Sequence, residues 1–233
     1  MIKPRFFRIL IIFFLVLGLI WFLNSEFFQV KTLEMIGGSG LEKESIIPRE
    51  EVLGQNIFHI DREYLENYAR QHPAIKEVAV SRKFPSTMVY YLEQREPLAW
   101  LKSTGNFFLV DEEGYSIAKK EERNKQDLPL IEAEGLELKE GVRIEESSVL
   151  YCLELLANLD LWIMDMITRV ALGPGAEINL FLKQGGKIIV GEASSPGEKT
   201  AIIRSLLQEL EEDLDRLQYL DLRFKNRPVY KLK

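Results

Sequence analysis

Residues 74–92 read AIKEVAVSRKFPSTMVYYL and carry a clear strand pattern. Apolar and β-branched residues recur over 74–82 and 87–92, and the sequence Phe84-Pro85-Ser86 separates the two runs. β-Branched and aromatic residues favour strands, whereas proline and serine favour tight turns. The stretch therefore predicts two neighbouring strands joined by a turn.

A strand and two helices are predicted upstream of this pair. β-Branched and aromatic residues recur over 27–36 and end at the glycine-rich sequence 37–40. Pro48 suits the first position of one helix, and Asp61 suits the N-cap of a second helix that ends before Pro73. The predicted order over this part is strand, helix, helix, strand, strand.

Downstream, the pattern changes to hairpins and longer helices. Ser195 is predicted to cap the last helix, with Pro196 at its first position and Glu198 completing a capping box. The predicted elements are a hairpin of 107–110 and 115–118, a helix over 147–159, a strand over 166–172, a hairpin of 178–183 and 187–190, and a strand over 219–224. The expected fold class is α+β, with a second, β-rich mixed domain.

The N-terminal region is the most apolar part of the chain. Every residue from Ile9 to Leu23 is apolar or glycine. About 20 helical residues cross the roughly 30 Å hydrocarbon core of a bilayer, so this run predicts a single transmembrane helix. A cleaved signal peptide or a non-spanning helix is the alternative, but no small residues suited to signal peptidase follow the run, and the first alanine is Ala69.

Charge predicts the orientation of that helix. Lys3, Arg5 and Arg8 precede or open the apolar run, and basic flanks stay cytoplasmic. Three of the 30 basic residues therefore lie inside, whereas all 36 acidic residues follow the run. The bulk is expected outside the membrane, and its negative charge argues against nucleic acid as a partner.

No pattern of a catalytic or metal site is found. His59 and His72 are the only histidines and lack the spacing of a zinc site, and Cys152 falls on the apolar face of a predicted helix. No nucleophile elbow, phosphate loop or dinucleotide fingerprint is present. We therefore expect a binding protein that is not an enzyme and takes no cofactor.

Short motifs follow one another in a fixed order along the chain. They are Phe28-x-Val30 before Gly37, Asn56-Ile57-Phe58 before Asp61, Pro73-x-Ile75-x-x-Val78, Arg82-x-Phe84-Pro85, Arg95-x-Pro97-x-Ala99, Val110-Asp111-x-x-Gly114, Leu128-Pro129 and Asp221-Leu222-Arg223-Phe224. In this order they resemble the FtsQ/DivIB family of bacterial cell-division proteins, and the strand-helix-helix-strand-strand unit resembles a POTRA domain. Gln94 departs from the glutamate usual in the family.

The resemblance implies a non-catalytic scaffold in the cell membrane at the division septum, with FtsL-like and FtsB/DivIC-like partners. It implies a cytoplasmic tail at 1–8, a transmembrane anchor at 9–26, a POTRA domain at 27–99, a β domain at 100–224 and a C-terminal tail at 225–233. The tail before the span is short, which does not favour a cytoplasmic role in recruitment.

Two candidate partner-binding sites follow. The first is a docking surface on which Arg82 is exposed beside Phe84 and Pro85, although these residues also suit a structural turn with Phe84 packed beneath it. The second is an edge formed by the strand 219–224 and the residues behind it, with basic side chains that serve either to protect the edge or to select an acidic partner. Its candidate residues are Arg223, Phe224, Asn226, Val229 and Tyr230.

Two other classes remain open at this point. A POTRA-containing export or chaperone module would bind polypeptide by strand addition, but it would need a β-barrel or tandem repeats. An anchored cell-wall hydrolase would need a metal or carboxylate constellation. Neither pattern is found in the sequence.

Overall fold

The computed structural model describes residues 4–123, 128–133, 135–173, 177–191, 195–224 and 227–233. The chain has a mixed α+β fold and divides into two compact units, Met1–Gln94 and Arg95–Lys233. Each unit has its own apolar core and its own sheet.

The first unit begins with a long helix and continues with a small α+β body. Its elements are α1 (Pro4–Leu23), β1 (Thr32–Ile36), α2 (Lys43–Ile46), α3 (Arg49–Val52), α4 (Arg62–Ala69), β2 (Ile75–Lys83) and β3 (Thr87–Gln94). The strands form a sheet in the order β1-β3-β2, with β1 parallel and β2 antiparallel to β3. The predicted hairpin is therefore present. The helix predicted from Pro48 is the single turn α3, and the turn α2 before Pro48 was not predicted.

Local sequence explains most of these boundaries. The Asp61 carboxylate accepts the backbone N–H groups of Glu63 at 3.0 Å and Tyr64 at 3.3 Å, as an N-cap should. The strand expected over 27–36 begins only at Thr32, because Glu26–Phe28 form a 3-10 turn. Along β2, buried Ile75, Val78 and Val80 place the core against one face of the sheet.

Helix α1 has 20 residues, and its side chains from Phe7 to Phe22 are exposed. Within the described residues, no helix combines the length and the apolarity required to cross a membrane.

The second unit is built on one nine-stranded sheet. Its strands are β4 (Ala99–Ser103), β5 (Asn106–Val110), β6 (Ser116–Lys120), β7 (Leu130–Glu132), β8 (Ile167–Leu172), β9 (Ile178–Leu182), β10 (Lys187–Gly191), β11 (Leu217–Asp221) and β12 (Val229–Leu232). The helices are α5 (Ser147–Ala157), α6 (Leu161–Met164) and α7 (Pro196–Glu209). The sheet order is β12-β11-β10-β9-β8-β7-β4-β5-β6.

Three pairs in this sheet are parallel: β4 with β7, β7 with β8, and β10 with β11. Parallel neighbours need long connections, and α5 and α7 lie in two of them. Leucines and valines of α5 and α7 are buried with the inward side chains of β8 to β11 in one core. The sheet order thus places the last two strands of the chain at one end of the sheet.

Several sequence expectations differ from the structure at the ends of elements. Residues 229–232 form β12, so they belong to the sheet and are not a tail outside it. The strand at 219–224 is also not the edge, because β12 covers it. Ser195 has a φ of 44° and its side chain makes no cap hydrogen bond, so the expected capping box does not form even though α7 begins at Pro196 as predicted.

Candidate partner-binding surfaces

Candidate groups for chemistry are few in the described part of the chain. No cluster of three or more metal-ligating side chains occurs there. Cys152 lies fully buried in α5, and burial raises the pKa of its thiol to about 12, which keeps it protonated and unreactive at neutral pH.

Arg82, on β2, fixes the loop between α3 and α4. Its Nε donates to the Ile57 carbonyl at 2.7 Å and its Nη2 to the Ile60 carbonyl at 2.8 Å. Ile57 and Ile60 are buried, so these carbonyls would otherwise be poorly solvated. The prediction that Arg82 is exposed is therefore wrong. The residue is half-buried, and its guanidinium donates to the protein's own backbone.

Five phenylalanines form a continuous surface, the aromatic cluster, beside that loop. Phe22 stacks on Phe27 at 5.7 Å, Phe27 meets Phe28 at 5.0 Å, Phe28 meets Phe58 at 5.1 Å, and Phe58 meets Phe84 at 5.2 Å between ring centroids. Phe84 is 57% exposed and Phe58 is 40% exposed. Phe84 therefore does not pack beneath its turn; it and Pro85 are on the surface.

Backbone pairing ties the aromatic cluster to the end of α1. Residues 28–30 pair with 54–57, through Ile57 N to Phe28 O and Val30 N to Gln55 O, each at 2.9 Å. The Asn56 side chain donates to the Leu23 carbonyl at 2.7 Å, which satisfies one of the free carbonyls in the last turn of α1. The loop that carries Phe58 is thus attached directly to the helix end.

Arg223 lies just after β11 and is occupied by acidic neighbours. Its Nε and Nη2 donate to the two carboxylate oxygens of Asp221 at 3.0 and 2.7 Å, and its Nη1 lies 3.4 Å from Glu177. The hydrogen bond from Arg223 holds the pKa of the Asp221 carboxyl below its usual range. Lys199 donates to the carbonyls of Val190 and Leu222 beside this pair. Arg223 is half-exposed, but it organises the end of the sheet.

Strand β12 is the terminal strand of the sheet, with β11 as its one partner among the described strands. Its register places Val229 opposite Asp221 and Tyr230 opposite Leu220. Lys233 N donates to Arg216 O at 2.7 Å. Because amides alternate in direction along a strand, the N–H groups of Tyr230 and Leu232 face outward.

Large apolar side chains accompany this free edge. Phe224 is 60% exposed, Val229 is 47% exposed and Tyr230 is 45% exposed. Since Tyr230 lies opposite the fully buried Leu220, it extends the core face of the sheet beyond the last covered strand. Asn226, also predicted here, lies outside the described residues.

The predicted residues thus form two groups, one in each unit. Arg82, Phe84 and Pro85 share the turn between β2 and β3, and the others follow β11 or lie on β12. Sequence reasoning did not identify Phe22, Phe27, Phe28, Phe58 and Asn56 as parts of a surface. The signal that could have found the rings is the recurrence of phenylalanine at the end of the apolar run and in the loops that follow it.

Comparison with known proteins identifies the family. The family model for the C-terminal part of the cell division proteins FtsQ/DivIB matches residues 99–223. The chain belongs to the FtsQ/DivIB family. This match covers β4 to β11 and includes Asp221 and Arg223.

Relatives in this family extend over more of the chain. Cell division protein DivIB of Clostridium acetobutylicum is 26% identical over 218 residues, which are 90% of this chain and 85% of that protein. Cell division protein FtsQ of Syntrophotalea carbinolica is 24% identical over 213 residues, 89% of this chain and 75% of that protein. For DivIB of Clostridium tetani the match is 27% identical over 118 residues, and the chain spans under half, 44%, of that relative.

One solved structure is also similar. It is the major extracytoplasmic domain of the trans isomer of DivIB from Geobacillus stearothermophilus, which is 11% identical with a TM-score of 0.35. The similarity covers 52% of this chain and 98% of that one.

Proposed function

We propose that this FtsQ/DivIB protein is a non-catalytic scaffold, anchored in the cell membrane, that joins partner division proteins outside the membrane during septum formation. The observation that carries the proposal is the free edge of β12 with its exposed apolar side chains. A sheet edge offers a row of backbone donors and acceptors that another chain can pair with. Scaffolding needs such a surface and no reactive group.

The anchor is proposed for α1. Its 20 residues, Pro4–Leu23, rise about 30 Å, which matches the hydrocarbon thickness of a bilayer. The helix reaches this length only because it includes the three residues before Phe7. Exposed apolar side chains cover the helix, and contact with water makes such a surface unfavourable. Lipid around the helix would remove this cost. Arg8 lies near the first turn, where its long side chain reaches the headgroups. Basic residues before the helix favour a cytoplasmic N-terminus.

The architecture of the first unit supports a POTRA-type domain. The order β1, short helices, β2, β3 and the mixed sheet agree with the arrangement that the sequence motifs suggest. This domain would follow the anchor directly outside the membrane, and the β-rich second unit would carry the β12 edge.

The partner is proposed to add a strand to β12. The outward N–H groups of Tyr230 and Leu232 would pair with its backbone, and Tyr230 and Phe224 would contact its side chains. Arg227, Lys231 and Lys233 lie along the same edge and favour an acidic segment. We propose that an FtsB/DivIC-like protein supplies this segment, with an FtsL-like protein in the same complex.

A calorimetric titration of the full chain with the partner's extracytoplasmic segment tests the edge. Tyr230→Ala or Phe224→Ala should weaken binding by about 1–3 kcal/mol, as is typical of aromatic side chains at the centre of interfaces. Tyr91→Ala is the matched control, since Tyr91 is 47% exposed in the other unit. Removal of everything after Asp221 should abolish binding.

A proline substitution separates the backbone from the side chain. Tyr230→Pro removes an outward N–H and leaves the pairing of β12 with β11 in place, since proline is tolerated at edges. It should bind more weakly than Tyr230→Ala. Equal affinities of well-folded Pro and Ala variants would show that no strand adds at this edge.

A fluorescent fusion in the native cell tests the division role. A ring at mid-cell during constriction is expected. A uniform envelope signal would contradict the role at the septum.

A further inference from the structure

We propose that the aromatic cluster is a membrane-interface dock, in which Phe27, Phe58 and Phe84 enter the boundary between headgroups and acyl chains of the bilayer. The dock would hold the first unit against the membrane surface. The proposal rests on the anchoring role proposed for α1 and adds a second, peripheral contact with the same bilayer.

The aromatic cluster lies at the end of the proposed anchor. The aromatic cluster begins at Phe22, in the last turn of α1, and runs through successive ring contacts of 5.0 to 5.7 Å to Phe84. The end of an anchor lies at the membrane surface by necessity. The bilayer is therefore within reach of these rings in every anchored molecule, whereas any protein partner would first have to arrive.

Hydrogen bonds hold the loops of the aromatic cluster in place at the end of α1. A flexible linker would leave the first unit free to turn away from the membrane, but here residues 28–30 pair with 54–57 and Asn56 donates to the Leu23 carbonyl. Arg82 holds the other side of the same loop through the Ile57 and Ile60 carbonyls. The rings are thus presented in one fixed arrangement at the helix end.

Several rings of the aromatic cluster are exposed. Phe27 and Phe84 each expose more than half of their surface, although each contacts at least one other ring. Phenylalanine and leucine on one face and basic residues beside them are typical of elements that lie in the membrane interface. Exposure of phenylalanine rings to water is unfavourable, and insertion into the membrane interface would remove that cost.

Charge near the turn agrees with this orientation. Exposed Lys31 donates its backbone N–H to Ser86 O at 2.8 Å, which places it beside the turn of Phe84. Lys83 is exposed next to Phe84 and forms an ion pair with Glu34 at 3.0 Å. The charge of Lys83 is thus shared with Glu34, whereas Lys31 at the rim can keep its ammonium among the headgroups while its apolar stem lies along the membrane interface.

Spin-label depth measurements on the full chain in vesicles of phosphatidylcholine and phosphatidylglycerol test the dock. His59→Cys places a nitroxide next to Phe58 and leaves all five rings intact, and Phe84→Cys places one within the cluster. The Cys152 thiol is fully buried and stays unlabelled, which the parent chain checks. Accessibility to oxygen, relative to a water-soluble nickel complex, reports the depth of each label.

Two further positions serve as references. Val16→Cys reports whether α1 is in the bilayer. Exposed Glu93 on β3 lies about 20 Å along the strand from the turn, so Glu93→Cys reports the water side of the same unit. The dock predicts a severalfold higher oxygen preference at 59 and 84 than at 93.

Removing the rings should release the dock. With the label at 59, the double variant Phe58→Ser and Phe84→Ser should lose that preference, whereas Tyr91→Ser, an equally exposed aromatic outside the cluster, should keep it. Depth at 16 should not change in either variant.

The outcomes separate the dock from the anchor. A label at 16 in hydrocarbon, with labels at 59 and 84 as aqueous as at 93, would overturn the dock and leave the anchor intact. An aqueous label at 16 would refute the anchor and the dock with it. Exclusion of both reagents at 84 with spin–spin broadening would identify a second copy of the chain as the occupant and overturn the bilayer assignment.

Discussion

Replacing Arg82 with methionine should destabilise the first unit by about 2–4 kcal/mol. The substitution keeps an unbranched apolar stem that reaches the position of Nε, and it removes two hydrogen bonds, of 2.7 Å to Ile57 O and 2.8 Å to Ile60 O. Hydrogen bonds from a charged donor contribute roughly 1.5–3 kcal/mol each, about 3–6 kcal/mol for two. The expected loss is reduced to about 2–4 kcal/mol because Arg82 is only half-buried and water can partly replace the donor. The two carbonyls would be left without their donors next to buried side chains.

Hydrogen exchange on the full chain in detergent micelles measures this change locally. The Ile57 amide donates to Phe28 O and the Val80 amide to the Glu66 carboxylate, so both report opening of the first unit. A loss of 2–4 kcal/mol corresponds to exchange about 30- to 1,000-fold faster where exchange follows the opening equilibrium. Amides of the second unit should keep their rates.

Two variants control for charge and for surface position. Arg82→Lys keeps one donor group without the fork of the guanidinium and should show an intermediate loss. Arg70→Met removes a partly exposed pair with Glu66 at 3.6 Å and a hydrogen bond to Asn67 at 2.8 Å, and it should cost less than about 1 kcal/mol. Unchanged exchange in Arg82→Met would refute the clamp and return Arg82 to the docking role expected from the sequence.

Three further predictions concern the second unit. Asp111→Asn should destabilise it by about 2 kcal/mol in urea denaturation, since Arg95 is nearly buried and would keep only its weaker, more exposed partner. Gly186→Ala should destabilise it and Gly197→Ala should not, because an added Cβ would lie 2.7 Å from a backbone oxygen at Gly186 and in open space at Gly197. Asp221 has a lowered pKa in the folded state, so its contribution to the free energy of unfolding is complete above about pH 4 and is lost as pH falls through that lowered value. When unfolding is measured against pH, the stability of the wild type should therefore approach that of Asp221→Asn in acid.

Local elements followed from the sequence because local forces define them. The hairpin around Phe84-Pro85-Ser86, the Asp61 cap and the start of α7 at Pro196 each depend on a few adjacent residues. The single nine-stranded sheet could not be predicted in this way, because its parallel pairs join strands that are far apart in sequence. β12 was missed as a strand for a different reason: its four residues carry no strong pattern of their own and are ordered by pairing with the neighbouring β11.

The candidate sites were only partly accessible to sequence reasoning. Exposure of Phe224, Val229 and Tyr230 followed from their place after the last core strand. The roles of Arg82 and Arg223 did not, since a guanidinium in a motif is equally suited to a partner and to the protein's own carbonyls or carboxylates, and only the fold shows which lie nearby.

The position of β12 at the end of the sheet also has a consequence for synthesis. A chain leaves the ribosome from its N-terminal side, so β12 is added after every other strand of the sheet. Until then β11 is the edge, and it presents Leu220 and Asp221 where the finished sheet presents Tyr230 and Val229. The strand addition proposed for β12 would therefore require that synthesis has passed this strand, and a product truncated before it would lack the proposed binding edge.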